Sequence, residues 1–330
     1  MAGFVISVAL TFLGLLFVTF IIARVIPVDP VLAAVGERAS ADVYAAVRAE
    51  LGLDLPLYEQ FARYLANVFQ GDLGQSVLTA KPVLADIARV FPATLELATT
   101  ATLLGVGLGI PLGVIAAVNR DRWADHVIRV FGLMGYSVPV FWLGLVGLLV
   151  FYAELGWVGG PGRLDVFYEG VIESRTGLIL VDSLIAGDLE IFSNALRHIV
   201  LPAAVLGYFS LAYISRMTRS LMLDQLTQEY ITTARIKGLS ERRVIWVHAL
   251  GNVRVPLITV IALSYASLLE GSVLTETVFA WPGLGLYITN SLFAADMNAV
   301  LGGTIVVGAL FIGINLFSDL LYRLFDPRVR

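Results

Sequence analysis

The sequence predicts an all-α protein that crosses a membrane six times. Two observations carry that class. First, 58% of the 330 residues are hydrophobic and only 15% are charged, against roughly 25% charged in a soluble domain. Second, the missing charge is concentrated in runs long enough to cross a bilayer core, which takes about 20 helical residues. At that length only a helix satisfies its own backbone in lipid. The alternation of a membrane β-barrel is missing.

The first run, 4–26, reads FVISVALTFLGLLFVTFIIARVI. No basic residue precedes it, and it is longer than the apolar core of a secretory leader, so it reads as a first transmembrane helix. Residues 27–92 carry mixed charges and read as a small ectodomain. Within it, Asp42 to Glu50 suits a short helix, and LPLYEQFARYLANVF spaces its apolar residues near the helical period. The second span, 93–118, places Gly105, Gly109 and Gly113 on one face, a small-residue surface for close helix packing. Pro111 in this span and Pro139 in the third are expected to kink their helices.

The third span, 127–153, is uncharged from Val130 to Ala153. Residues 154–198 then hold a turn-rich stretch, GWVGGPGRLD, and TGLILVDSLIAGD, which is too short to span and suits a re-entrant or interfacial element. The fourth span is 199–221, near whose end Arg216 and Arg219 are expected to snorkel to the interface. The fifth and sixth spans are 255–276 and 300–322.

Basic residues set the orientation. Arg120 and Arg122 lie in the loop 119–126. Arg235, Lys237, Arg242, Arg243 and Arg254 lie in 222–254, and Arg323, Arg328 and Arg330 in the tail. The connector 277–298 has no Lys or Arg. The basic loops therefore face the cytoplasm, and both termini with them. The domain reading is a first helix at 1–26, the ectodomain at 27–92, a five-helix transmembrane domain at 93–323 and a cytoplasmic tail at 324–330.

Several chemistries find no residues to carry them. The chain has no cysteine, so disulfides and thiolate sites are excluded. A net charge of −4 does not suggest nucleic acid. No GxxxxGK[ST] phosphate loop, HExxH or GxSxG occurs. His126, His198 and His248 are scattered and make no metal set. No catalytic residues are expected, and the chain is not expected to be an enzyme.

The polar segment EYITTARIKGLSERRVIWVHALGNVRVP, 229–256, stands out in so apolar a chain. It reads as two short helices with a break. Glu229, Thr233 and Lys237 form a polar stripe, with Ile231 and Ala234 on another face. Gly238 suits the left-handed position that closes a helix. Ser240 suits the N-cap of the next, and Glu241 complements its dipole. The second helix is expected to run to about Leu250, with Asn252 and Pro256 marking the return to the membrane. From these residues alone the segment is a solvated basic loop, a helix–turn–helix, or a docking element for another protein.

The same segment resembles the cytoplasmic signature of the permeases of ABC importers, and more narrowly that of their dipeptide/oligopeptide and nickel branch. The match runs through Glu229, Tyr230, Ala234, Arg235, Lys237, Gly238, Leu239 and Ser240, then His248, Ala249, Leu250, Asn252 and Pro256. Ile236 replaces a common alanine, and Thr232 and Thr233 depart from the general importer motif. IPVDP (26–30), LGLDLPLYEQFARYLANVFQGDLGQS (51–76), FPATLELA (91–98), ETVFAWPGLG (276–285) and the terminal LFDPRVR are similar in order and spacing.

That resemblance implies a type I ABC importer permease fold with a small ectodomain after the first helix. It implies a permease subunit forming half of a translocation pathway in an inner membrane, most simply for dipeptides or oligopeptides, with nickel chelates or sugars as alternatives. The implied partners are a second homologous permease chain, one or two ABC ATPase subunits and an extracytoplasmic binding protein. ATP and Mg would bind those ATPase subunits and no cofactor this chain. Glu229, Tyr230, Ala234, Arg235, Lys237, Gly238, Leu239, Ser240 and Glu241 would form the ATPase-coupling element. From the residues themselves, the carboxylates Glu270 and Glu276 in or near the fifth span are candidates for the substrate pathway, and Asp319 lies toward the inner end of the sixth. An ion-driven secondary transporter would require inverted repeats and paired intramembrane carboxylates, neither of which is evident.

Overall fold

A computed structural model describes residues 2–25, 30–36, 39–50 and 52–325. IPVDP and LFDPRVR lie largely outside these residues, as does the Asp319 side chain. The helices are α1 (Ala2–Val25), α2 (Pro30–Val35), α3 (Ala41–Glu50), α4 (Leu57–Phe69), α5 (Val83–Val118), α6 (Trp123–Ser137) and α7 (Val140–Gly147), then α8 (Ile179–Ala186), α9 (Leu189–Leu226), α10 (Glu229–Ile236), α11 (Glu241–Arg243), α12 (Leu250–Gly271), α13 (Val273–Val278), α14 (Leu284–Phe293) and α15 (Met297–Phe325). Extended pairing among the described residues is limited to an isolated bridge between Gln75 and Pro82.

Four helices among the described residues are long and apolar enough to cross a membrane: Val83–Val118, Leu189–Leu226, Glu241–Gly271 and Met297–Ser318. A fifth span is formed if α6 and the following helix to Glu154 are taken together, but the pair is bent by 99°. The expected third span is therefore broken, and proline chemistry accounts for the place. The residue before a proline is driven out of the helical region, and Val138 is extended at φ −96°, ψ 127°. Pro139 then opens α7, which continues to Glu154 as a wider π-type turn. Pro111, expected to kink the second span, leaves α5 unbroken, and Pro202 and Pro256 also lie inside continuous helices. α1 is 24 residues long.

The chain forms two compact units, residues 1–92 with 282–312, and 93–281 with 313–330. In the first, α4 lies antiparallel along α1. Phe12 meets Phe69 at 6.4 Å between ring centres and Phe20 meets Phe61 at 5.2 Å. Tyr64 and Thr19 share a hydrogen bond of 2.9 Å. The ectodomain reading of 27–92 changes accordingly: α4 is packed along the first helix, and the last ten residues, from Val83, already belong to α5. Val83, Ile87, Leu284, Tyr287 and Ala299 form this unit's buried core.

In the second unit, α5 packs on α9 through the expected glycine face. A Cβ on Gly105 would lie 2.6 Å from Ser210 Cβ, and one on Gly113 would lie 2.6 Å from the Ser215 carbonyl oxygen. Gly207 reciprocates, its Cβ position falling 3.0 Å from the Ala101 carbonyl oxygen. The helix backbones approach closely because these positions lack a side chain.

Candidate functional site

The segment 229–256 is built on a hydrophobic base. Ile231 and Ala234 of α10 are buried with Val244, Ile245 and Ala249 against Val114 and Ala117 of α5, Met222 of α9, and Val253 and Leu257 of α12. The two short helices thus share a core with the C-terminal ends of α5 and α9 and the N-terminal part of α12.

α10 ends where glycine predicts. Gly238 adopts φ +78°, a conformation that costs glycine little and other residues more. Its N–H donates to the Arg235 carbonyl at 2.9 Å, and the Leu239 N–H donates to the Ala234 carbonyl at 3.2 Å. These two bonds are the Schellman closure. Ser240 sits at the following N-cap with φ −60°, ψ 142°, and its carbonyl accepts from the Val244 N–H at 3.0 Å, but its hydroxyl makes no capping bond. The expected side-chain cap is absent. Glu241, expected to serve the helix dipole, faces Arg235 across the break: Arg235 Nε donates to Oε1 at 2.8 Å and Nη2 to Oε2 at 3.2 Å.

The second helix does not end near Leu250. It passes from α11 through a π-type turn, Val244–Ala249, into α12, and so continues to Gly271 without a return loop. Asn252 donates to the His248 carbonyl at 3.2 Å, within the helix. Successive residues turn by about 100° in a helix. That sets Glu229, Thr232, Thr233 and Ile236 opposite the buried face, and all four are exposed, Ile236 by 80%. Tyr230 donates to Gln225 Oε1 at 2.8 Å, and Lys237 is exposed at the closing turn.

The C-terminal part of α9 is anchored differently from expectation. Arg219 does not snorkel: Nε and Nη2 fork onto Asp125 of α6 at 2.6 and 2.7 Å, with Asp125 fully buried. Arg216 lies 4.8 Å from the Tyr136 ring centre, a cation–π contact. Sequence periodicity could not place these partners, because α6 and α9 meet only in the fold.

The two carboxylates expected in the substrate pathway separate. Glu270 is exposed at the end of α12. Glu276 is fully buried in α13, where its Oε1 accepts from Thr94 at 2.7 Å and from Ser272 at 2.9 Å. A third carboxylate lies in the second apolar run. Glu96, also buried in α5, pairs with Arg163 and accepts from the Leu180 N–H at 2.7 Å. Arg163 Nη2 also donates to the Gly177 carbonyl at 2.9 Å, and the guanidinium lies 5.7 Å from the Trp281 ring centre. A charge inside an apolar run was the signal available for Glu96. Nearby, Asp182 accepts from the Thr176 N–H at 2.9 Å, the Thr176 hydroxyl at 2.8 Å and the Gly177 N–H at 3.0 Å. Burial pushes its carboxyl up, but these donors outweigh burial and hold it below the ordinary range.

Comparison with known proteins fits this geometry. Residues 109–330 match the family described as binding-protein-dependent transport system inner membrane component, and residues 2–98 match its N-terminal companion. The chain is 46% identical over 96% of its length to the probable D,D-dipeptide transport system permease protein DdpB of Escherichia coli, covering 93% of that protein. It is 44% identical over 97% of its length to the di/tripeptide transport system permease protein DppB of Pseudomonas aeruginosa, covering 95% of it. The inward-facing MetNI methionine ABC transporter shares the fold at a TM-score of 0.51 and 17% identity, over 71% of this chain and 93% of that one.

Proposed function

Because the chain belongs to the family of inner membrane components of binding-protein-dependent transport systems, we propose that it forms half of the pathway through which an ATP-driven importer moves dipeptides or short oligopeptides. As a member of that family it is a permease subunit of the inner membrane. The observation that carries the reading is the capped element from Glu229 to Arg243, fixed on the ends of α5, α9 and α12 with an exposed face.

In this reading a separate ABC ATPase subunit receives Glu229, Thr232, Thr233 and Ile236, and ATP and Mg bind there rather than on this chain. A second permease chain completes the pathway, and an extracytoplasmic binding protein delivers the substrate. Both termini face the cytoplasm, as the basic loops suggest. The peptide class is supported by the relatives named for dipeptides and di/tripeptides. Glu270, free at the end of α12, is the carboxylate we place in reach of a peptide's amine. Glu276, committed to Thr94 and Ser272, braces α13 against α5 instead.

The test is uptake of a labelled dipeptide into proteoliposomes holding this chain, its companion permease, the ATPase subunits and the binding protein. ATP-dependent uptake that vanishes when this chain is left out is expected. Uptake that proceeds without ATP, or without this chain, would overturn the proposal.

A further inference from the structure

We propose that Arg235 and Glu241 are positioning residues: their forked ion pair fixes the angle between α10 and the helix that runs from Glu241 to Gly271. The proposal deepens the coupling role given above and rests on it for its transport consequence, though not for its structural one.

Four residues, 237–240, separate α10 from α11, and one of them is a glycine with φ +78°. The Ser240 hydroxyl, the natural side chain to stiffen such a break, makes no cap bond. The Schellman bonds close α10 but reach only Leu239. Ile231 and Ala234 pack on Val244, Ile245 and Ala249 across the break, and the polar side-chain contact across it falls to Arg235 and Glu241. Both Glu241 oxygens are engaged, at 2.8 and 3.2 Å, by two nitrogens of one planar guanidinium. A single point contact leaves two helices free to swivel, whereas a two-point fork fixes orientation as well as distance.

The pair is partly exposed, with side-chain accessibilities of 43% and 60%. An exposed pair contributes little to global stability. Arg235 also flanks the face that holds Ile231 and Ala234 in the core, so the fork and the core grip α10 from adjacent sides. The Glu229, Thr232, Thr233 and Ile236 face is thereby presented to a partner in one orientation. A displacement of that face is delivered to α12 rather than absorbed by the glycine.

The chain has no cysteine, so spin labels can be placed cleanly through Thr233→Cys and Val247→Cys, both at exposed positions. Pulsed electron–electron resonance on the full chain should give one narrow distance distribution. Glu241→Gln should broaden it, and the exchange Arg235→Glu with Glu241→Arg should narrow it again. In the reconstituted transporter, Glu241→Gln should lower substrate moved per ATP hydrolysed by about threefold, and the exchange should restore it. An unchanged distribution in Glu241→Gln overturns the positioning role. So does a lost transport ratio with the distribution still narrow, which would make Glu241 a direct docking contact. If the wild-type chain does not associate with an ATPase at all, the functional reading fails, while the distance measurement still decides the positioning role.

Discussion

Gly238 shows how far one residue can be read from sequence. Its place after an amphipathic octet predicts a left-handed closure, and φ +78° with the two closing bonds is what the backbone adopts. No atom beyond its own neighbourhood lies within 4 Å of a Cβ built there. A Gly238→Val change therefore tests backbone strain alone, which is of order 1–3 kcal/mol. Transport should fall several-fold while membrane insertion and yield persist, measured as uptake against protein content of the membrane fraction. Glu229→Lys should weaken association with the ATPase, read by co-purification, because Glu229 lies on the exposed face of α10. Arg219 was less legible, since its partner lies 94 residues away. Arg219→Ala should leave a fully buried Asp125 unpaired and cost about 3 kcal/mol or more. The double change with Asp125→Asn should recover much of the loss, as followed by thermal aggregation in detergent.

Elements were legible in kind more than in extent. Apolar runs identified Val83–Val118, Leu189–Leu226, Glu241–Gly271 and Met297–Ser318 as spans, with the third run a bent pair and the first the shorter apolar helix Ile6–Ile22. Yet α5 and α9 overrun their runs because their polar ends find partners in the fold, such as Asp86 with Arg89 and His198 with Asp165. The break at Val138–Pro139 was visible as a proline; that it becomes a bend of 99° was not. Pro111 carries the same local signal without the same outcome, since proline in a membrane helix is tolerated where neighbours satisfy the freed carbonyl. The glycine face was legible outright, because a repeat of four needs only the helical period. Gly113→Val should force α5 away from α9, since even its Cβ falls 2.6 Å from both the Ser215 carbonyl oxygen and Thr218 Cβ. A loss of about 1–3 kcal/mol is expected from overpacking. Gly107→Ala, where nothing lies within 4 Å, should be silent in the same thermal assay.

For the whole molecule, the sequence conveyed class and role through motif order, while the polar scaffolding needed the fold. Asp182 illustrates the second kind. Because its carboxyl is held below the usual range, its contribution is complete above the unfolded value of about 3.9 and is lost as pH falls through the lower folded value. Protection of the backbone amides over 174–182 from hydrogen exchange, relative to their intrinsic rates, should therefore hold at neutral pH and fall only under acid. Asp182→Asn should lower that protection at neutral pH and change little once the wild-type carboxyl is protonated.

The uninterrupted helix from Glu241 to Gly271 has a mechanical consequence. Its 31 residues extend about 45 Å at 1.5 Å per residue, whereas the hydrocarbon layer is about 30 Å thick. About a third of its length therefore stands clear of that layer. A tilt of only about 10° about one end would carry the other through roughly 8 Å, more than one helical turn.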